Sequence, residues 1–118
     1  MSAKLENQYG TISIENEVIA RIAGLTAMEC YGIVGMAAKN MKDGFIQLLK
    51  LESLTKGIRI NVNEEKTSID LHIIVEYGTN ITAIAENIIS TVKYKVEAVC
   101  GIAVEQVNVF VEGVRVDA

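Results

Sequence analysis

The stretch Ile69–Val99, IDLHIIVEYGTNITAIAENIISTVKYKVEAV, decides the fold. Its first part alternates: Ile69, Leu71, Ile73, Val75 and Tyr77 are interleaved with Asp70, His72, Ile74 and Glu76, as in a strand with one apolar and one mostly polar face. Gly78-Thr79-Asn80 breaks the alternation, and the period then changes. Ile81, Ile84, Ala85, Ile88, Val92, Val96 and Val99 fall on one broad stripe of a helix. Strand face and helix stripe each need an apolar partner, and each supplies the other's.

Upstream, Met1–Gln8 reads as a flexible tail and Tyr9–Ile14 as a first strand. Asn16 is the expected cap of a helix running to about Cys30, with Val18, Ile19, Ile22, Leu25 and Thr26 buried. Gly24 costs that helix about 1 kcal/mol relative to Ala, which a close helix contact would offset. Tyr31-Gly32 stops it, and the apolar run Ile33–Ala38 reads as a buried strand. Between Lys39 and Gly57 a short helix is expected around Phe45, Leu48, Leu49 and Leu51. Ile58–Val62 alternates again, and Asn63–Thr67 reverses the chain into the long strand through a loop longer than the tightest turns. Cys100-Gly101 ends the second helix. Val107, Val109 and Val111 then alternate with Asn108, Phe110 and Glu112 in a last strand reaching Val116.

The order is β-α-β-(α)-β-β-α-β. Ile12, Ile14, Ile58, Ile60, Val62, Leu71, Ile73, Val75, Val107, Val109 and Val111 share one sheet face. Thr11, Ser13, Arg59, Asn61, Asp70, His72, Glu76, Asn108 and Glu112 share the other. The expected architecture is α+β, a two-layer sandwich of a mixed sheet with helices packed on one face. Residues 1–8 are a tail and residues 9–118 one domain.

A chain of 118 residues, half of them apolar, supports one core. Fifteen acidic against eleven basic side chains give a net charge of −4, and the basic ones are scattered, so nucleic acid is not an expected partner. Cys30 and Cys100 occur singly behind a polar start, MSAKLENQ, with no signal peptide. Two free thiols in a reducing cytoplasm are expected. The longest apolar run, Ile33–Ala38, is far too short to cross a bilayer.

No catalytic constellation is visible, and no cofactor or metal is expected. His72, the single histidine, stands beside Asp70 and Glu76 on the polar face, but alternate strand residues lie roughly 7 Å apart, which leaves a solvated sheet face rather than a site. Gly32-Ile33-Val34-Gly35 has the GxxG spacing of a KH-type RNA clamp, yet its middle residues are apolar, and it reads as a turn entering a strand. Gly78-Thr79-Asn80 reads as helix capping. Ile74 and Phe110 interrupt the polar face. If their strands are neighbours they form an apolar spot bordered by charges, and Ile74, Phe110, His72 and Glu76 are the candidate interface.

Three separated blocks, Glu29–Met36 (ECYGIVGM), Ile73–Ile81 (IIVEYGTNI) and Val107–Val114 (VNVFVEGV), resemble the alkaline shock protein family of Gram-positive bacteria, the envelope stress response group. The resemblance covers Tyr9 to Val116. It implies a small cytoplasmic α+β protein without known catalytic residues, able to self-associate and in some members held at the membrane by a separate anchoring protein. No site residues come with it. The charged extensions of longer members are missing here, which weakens the expectation of filament formation and of membrane-proximal localisation and leaves a peripheral position through a partner as the expected route to the membrane. The compact form resembles the branch whose genes tend to neighbour those of dihydroxyacetone-kinase-like proteins, which suggests one such protein as partner.

The expectation is therefore a non-enzymatic structural or interaction protein linked to envelope stress or lipid homeostasis, cytoplasmic, acting through its sheet edge or the face around Ile74 and Phe110. The alternative is a regulatory module binding an acyl group between helices and sheet, with RNA binding through the GxxG segment as a third reading.

Overall fold

A computed structural model describes residues 3–39, 46–48 and 51–116. The strands are β1 (Ala3–Asn7), β2 (Gly10–Ile14), β3 (Ile33–Lys39), β4 (Ile46–Leu48), β5 (Ile58–Asn63), β6 (Lys66–Glu76) and β7 (Val104–Arg115). The helices are α1 (Asn16–Met28) and α2 (Ile81–Cys100), and a 3₁₀ segment covers Leu51–Gly57.

The strand and helix read from the opening stretch are β6 and α2, and they build the core. Ile69, Leu71, Ile73 and Val75 are fully buried, and so are Ile88, Val92 and Val96 of α2. Each such side chain stabilises the fold by about 1.5–3 kcal/mol through burial. Ile81 and Val99, expected on the buried stripe, are exposed at the two ends of the helix, and Cys100 is buried instead. Tyr77 lies past the end of β6 and is exposed. Asn80 caps α2, its Oδ1 accepting from the Ala83 N–H at 3.0 Å, and Gly101 closes the helix with φ +72°.

β6 is the central strand. Along one edge it pairs antiparallel with β5 over Lys66–Leu71 and with β3 over Ile73–Val75, so those two strands follow one another end to end. Along the other edge it pairs in parallel with β7. β4 extends the sheet beyond β3. Both helices contribute to a core on the face of β6 that carries Ile69 to Val75.

Several expectations are corrected. Ala3–Asn7 is a strand rather than a tail: it pairs with Gly10–Ile14 in a separate two-stranded sheet, with Leu5 opposite Ile12 and Ala3 opposite Ile14. Ala3 is buried and Leu5 packs against the core, which fixes the hairpin to the body. Thr11, Ile12, Ser13 and Ile14 therefore belong to this hairpin and not to the main sheet. At α1 the cap residue is Glu15, which makes no side-chain bond, and Asn16 is already helical. The buried side of α1 is Ile19, Ala20, Ala23, Gly24, Thr26 and Ala27, while Val18 and Leu25 are exposed. Small residues win because the helix lies close to its neighbours: a Cβ on Gly24 would stand 2.8 Å from Ile58 Cδ1.

The short helix expected between Lys39 and Gly57 is replaced by β4 and the 3₁₀ segment, with Leu48 in the strand and Leu51 opening the turn. Phe45 and Leu49 lie outside the described residues. The β5–β6 loop is tighter than expected, since Asn63 pairs with Lys66 and only Glu64 and Glu65 turn, Glu64 at φ +57°. Gly32-Ile33-Val34-Gly35 is a turn entering β3, with Gly32 at φ +85°.

Candidate interaction surface

The face of the sheet opposite the core is built by outward residues of four strands, β3, β5, β6 and β7. Across it, Arg59, Asp70 and Asn108 form one row and His72 and Phe110 form the next. Gly35, Ile74 and Gly113 form the third. Alternation along β6 places Asp70, His72, Ile74 and Glu76 outward because the interleaved residues are taken by the core.

Ile74 and Phe110 do lie on neighbouring strands, but they play different parts. Ile74 has a glycine opposite it on each side, and it is half-buried because it covers backbone where no other side chain stands. Phe110 is 44% exposed. Its ring stacks on the His72 imidazole with centroids 4.9 Å apart and planes at 16°. His72 Nδ1 lies 2.7 Å from Glu112 Oε1. An ionised carboxylate only accepts, so Nδ1 carries the proton and donates. Glu112 holds the ring from the side while Phe110 supports its plane. Glu76, the fourth candidate, is exposed at the end of β6, where its N–H donates to the Gly32 carbonyl, and it does not join the trio.

Asp70 is held on both oxygens. Asn108 Nδ2 donates to Oδ1 at 2.9 Å and Asn61 Nδ2 to Oδ2 at 3.5 Å. Next to this cluster a shallow hollow of about 450 Å³ is lined by Lys56, Ile58, Arg59, Asp70, His72 and Phe110. A larger open groove of about 700 Å³ separates the N-terminal hairpin from the β5–β6 turn, with Leu5, Val62 and Ile102 among its apolar lining and Glu6, Glu64 and Glu65 also on its walls.

The edge of the sheet is less inviting than its face. Along β7 the register shifts twice, between Thr67 and Ser68 and between Ile73 and Ile74, which leaves Glu105 and Glu112 as extra residues opposite β6. Bulges bend a strand and spoil the straight row of donors and acceptors that an added strand needs. The chain has no proline with which to blunt this edge, and two bulged glutamates do that work instead.

His72 and Glu112 are close enough for proton exchange, but no nucleophile stands beside them. Cys30 and Cys100 are free thiols buried in the core on the other side of the sheet, where burial raises the pKa of each above the ordinary 9.0. Among the described residues no group of three His, Cys, Asp or Glu side chains is arranged to hold a metal ion. The cross-strand partner of His72, Glu112, lies 40 residues away. Only the shared polar face pointed to it in the sequence.

Comparison with known proteins places this architecture. The family model of alkaline shock protein 23, described as having a cell envelope-related function, matches residues 4–116. The uncharacterized protein YloU of Bacillus subtilis is 49% identical over 117 residues, covering 98% of each chain. The uncharacterized protein Spy1614 of Streptococcus pyogenes is 34% identical, covering 98% of this chain and 97% of its own. A stress response regulator gls24 homolog of the same species is 28% identical over 90% of this chain and 59% of its own length. Among solved structures, a histidine-to-alanine variant of MamM-CTD superposes with a TM-score of 0.51 at 15% identity, covering 84% of this chain and 98% of that one, a likeness in fold alone.

Proposed function

The chain belongs to the alkaline shock protein 23 family, whose function is cell envelope-related, and from that premise we propose that it is a non-enzymatic interaction protein of the envelope stress response whose working surface is the helix-free face of the sheet. The observation that carries this reading is Phe110: a large apolar ring, stacked and held in place by His72 and Glu112, yet left 44% exposed. A fixed aromatic loses little entropy on binding and brings a large apolar area. The bulges in β7 tell against strand addition at that edge and favour the face as the route of contact.

No helix among the described residues is long and apolar enough to cross a membrane. In this reading the chain works on the cytoplasmic side, and its partners are a second copy of itself or the dihydroxyacetone-kinase-like protein suggested by the family resemblance; contact with the membrane, where it occurs, is made by a partner.

Light scattering after size-exclusion chromatography, over a wide concentration range, tests the reading on the chain and on an Ile74→Asp, Phe110→Asp variant. Association that weakens about threefold to tenfold or more in a variant with an unchanged circular dichroism spectrum is expected, since covering the exposed 44% of Phe110 contributes about 0.7–1.3 kcal/mol and each introduced carboxylate adds a desolvation cost. Association that survives both substitutions overturns the reading. So does a monomer at every concentration that also fails to retain the kinase-like protein when immobilised.

A further inference from the structure

The chain carries a net charge of −4, yet two cations stand together on its helix-free face. Lys56, at the end of the 3₁₀ segment, and Arg59, on β5, line the hollow beside His72 and Phe110. Arg59 is directly opposite Asp70 in the ladder, where a cross-strand ion pair is the ordinary outcome. Instead Asp70 is bound on both oxygens by Asn61 and Asn108. Glu112, the neighbouring carboxylate on β7, is engaged by His72. Among the described residues no ion pair involves Lys56 or Arg59. The hollow thus presents two cations, with the adjacent carboxylates already occupied, next to an exposed aromatic ring.

Resting on the reading of this face as the interaction surface, we propose that its partner is a protein segment with an Asp or Glu carboxylate next to an apolar side chain, the carboxylate seated between Lys56 and Arg59 and the apolar group lying on Phe110. The planar guanidinium matches a carboxylate through two parallel hydrogen bonds, and Lys56 adds a second charge without demanding a geometry. Phe110 supplies the apolar half of the contact, and because its ring lines the same hollow as the two cations, segments carrying both features close together in sequence are selected. A polyanion is the poorer occupant. Asp70, Glu76 and Glu112 share the face and the whole chain is acidic, so a lone carboxylate is drawn in where a chain of phosphates is repelled.

Selection of random heptapeptides displayed on phage, against the immobilised full chain, tests this. The recovered peptides are then measured on a Lys56→Glu, Arg59→Glu variant and on a Phe110→Ala variant, both substituted at exposed positions and checked for an unchanged melting curve. Enrichment of Asp or Glu within two residues of Leu, Ile or Phe is expected. Binding falls about threefold to tenfold for each reversed charge and weakens as salt is raised. Enriched peptides that are basic or uncharged, or no enrichment over the bare support, overturn the proposal. Capture lost in Phe110→Ala but unaffected by charge reversal overturns the carboxylate assignment and leaves the face as the binding surface. Capture unaffected by either variant overturns the assignment and tells against the face as well.

Discussion

Gly32 holds φ at +85°, and a Cβ added there would stand 2.3 Å from Ile84 Cδ1. Two costs therefore coincide. An L side chain in the left-handed region loses about 1–2 kcal/mol, and forcing a methyl against a buried isoleucine loses about 1–3 kcal/mol more. Gly32→Ala is expected to lower unfolding free energy by about 2–5 kcal/mol, read by urea unfolding. Gly24→Ala is the contrast, because helix propensity gains about 1 kcal/mol and its added Cβ comes too close to one atom, the tip of the half-buried Ile58 at 2.8 Å, while Leu54 Cβ at 3.5 Å is in ordinary contact. The two roughly cancel. Gly24 was legible as a cost awaiting a close contact, whereas Gly32, expected to stop the helix, lies in the turn into β3 after α1 has already ended at Met28 with Glu29 as its cap. The His72–Glu112 pair was not legible, because nothing local to His72 specifies which residue of a strand far along the chain will stand beside it.

Among the elements, β6 and α2 were legible because each carries a strong period over many residues. Their ends were not: Ile81 and Val99 fit the stripe by spacing but extend past the surface that covers it. In α1 the hydrophobic weights of Val18 and Leu25 misled, since the close-packed stripe is made by Ile19 together with the small residues Ala20, Ala23, Gly24 and Ala27, and Val18 and Leu25 fall outside it. Ala3–Asn7 is too short and too polar to announce a strand, and its partner and its anchoring by Leu5 are tertiary facts. The β5–β6 turn offers a test at this scale. Its first residue, Glu64, has φ +57°, a conformation that two-residue hairpin turns normally assign to glycine, asparagine or aspartate. Glu64→Gly is expected to stabilise the fold by about 0.5–1 kcal/mol, read as a higher urea midpoint with an unchanged slope. A lower midpoint would show that the Glu64 side chain contributes more than its backbone costs.

Over the whole molecule, the two-layer arrangement followed from the agreement of strand faces, while the position of β7 beside β6 did not, because pairing partners leave no mark in a single strand. Stability against pH is a property at this scale. Burial raises the pKa of both Cys30 and Cys100 above 9.0, so the unfolded chain loses these protons first as pH rises. Their contribution is fully present below pH 9 and is lost above it, toward the native pKa values. Between pH 8 and 10.5 the chain should lose more stability than a Cys30→Ala, Cys100→Ala variant does, measured as the difference in urea midpoints. Equal slopes for the two would contradict the assignment.

β6 and β7 run in the same direction, so the chain travels back along the sheet as α2 before its last strand can be laid down. Asp70 and Asn108, which meet across this pair, are 38 residues apart. Closing that distance is rewarded only after α2 has docked, whereas the β5–β6 hairpin closes locally. These separations predict assembly from the hairpin through α2 to β7. Phe110 and Glu112 arrive with β7, so the surface proposed above for binding would be the last part of the molecule to exist. A half-folded chain holds His72 without its ring or its carboxylate, and on the proposed reading binding would then report that folding is complete.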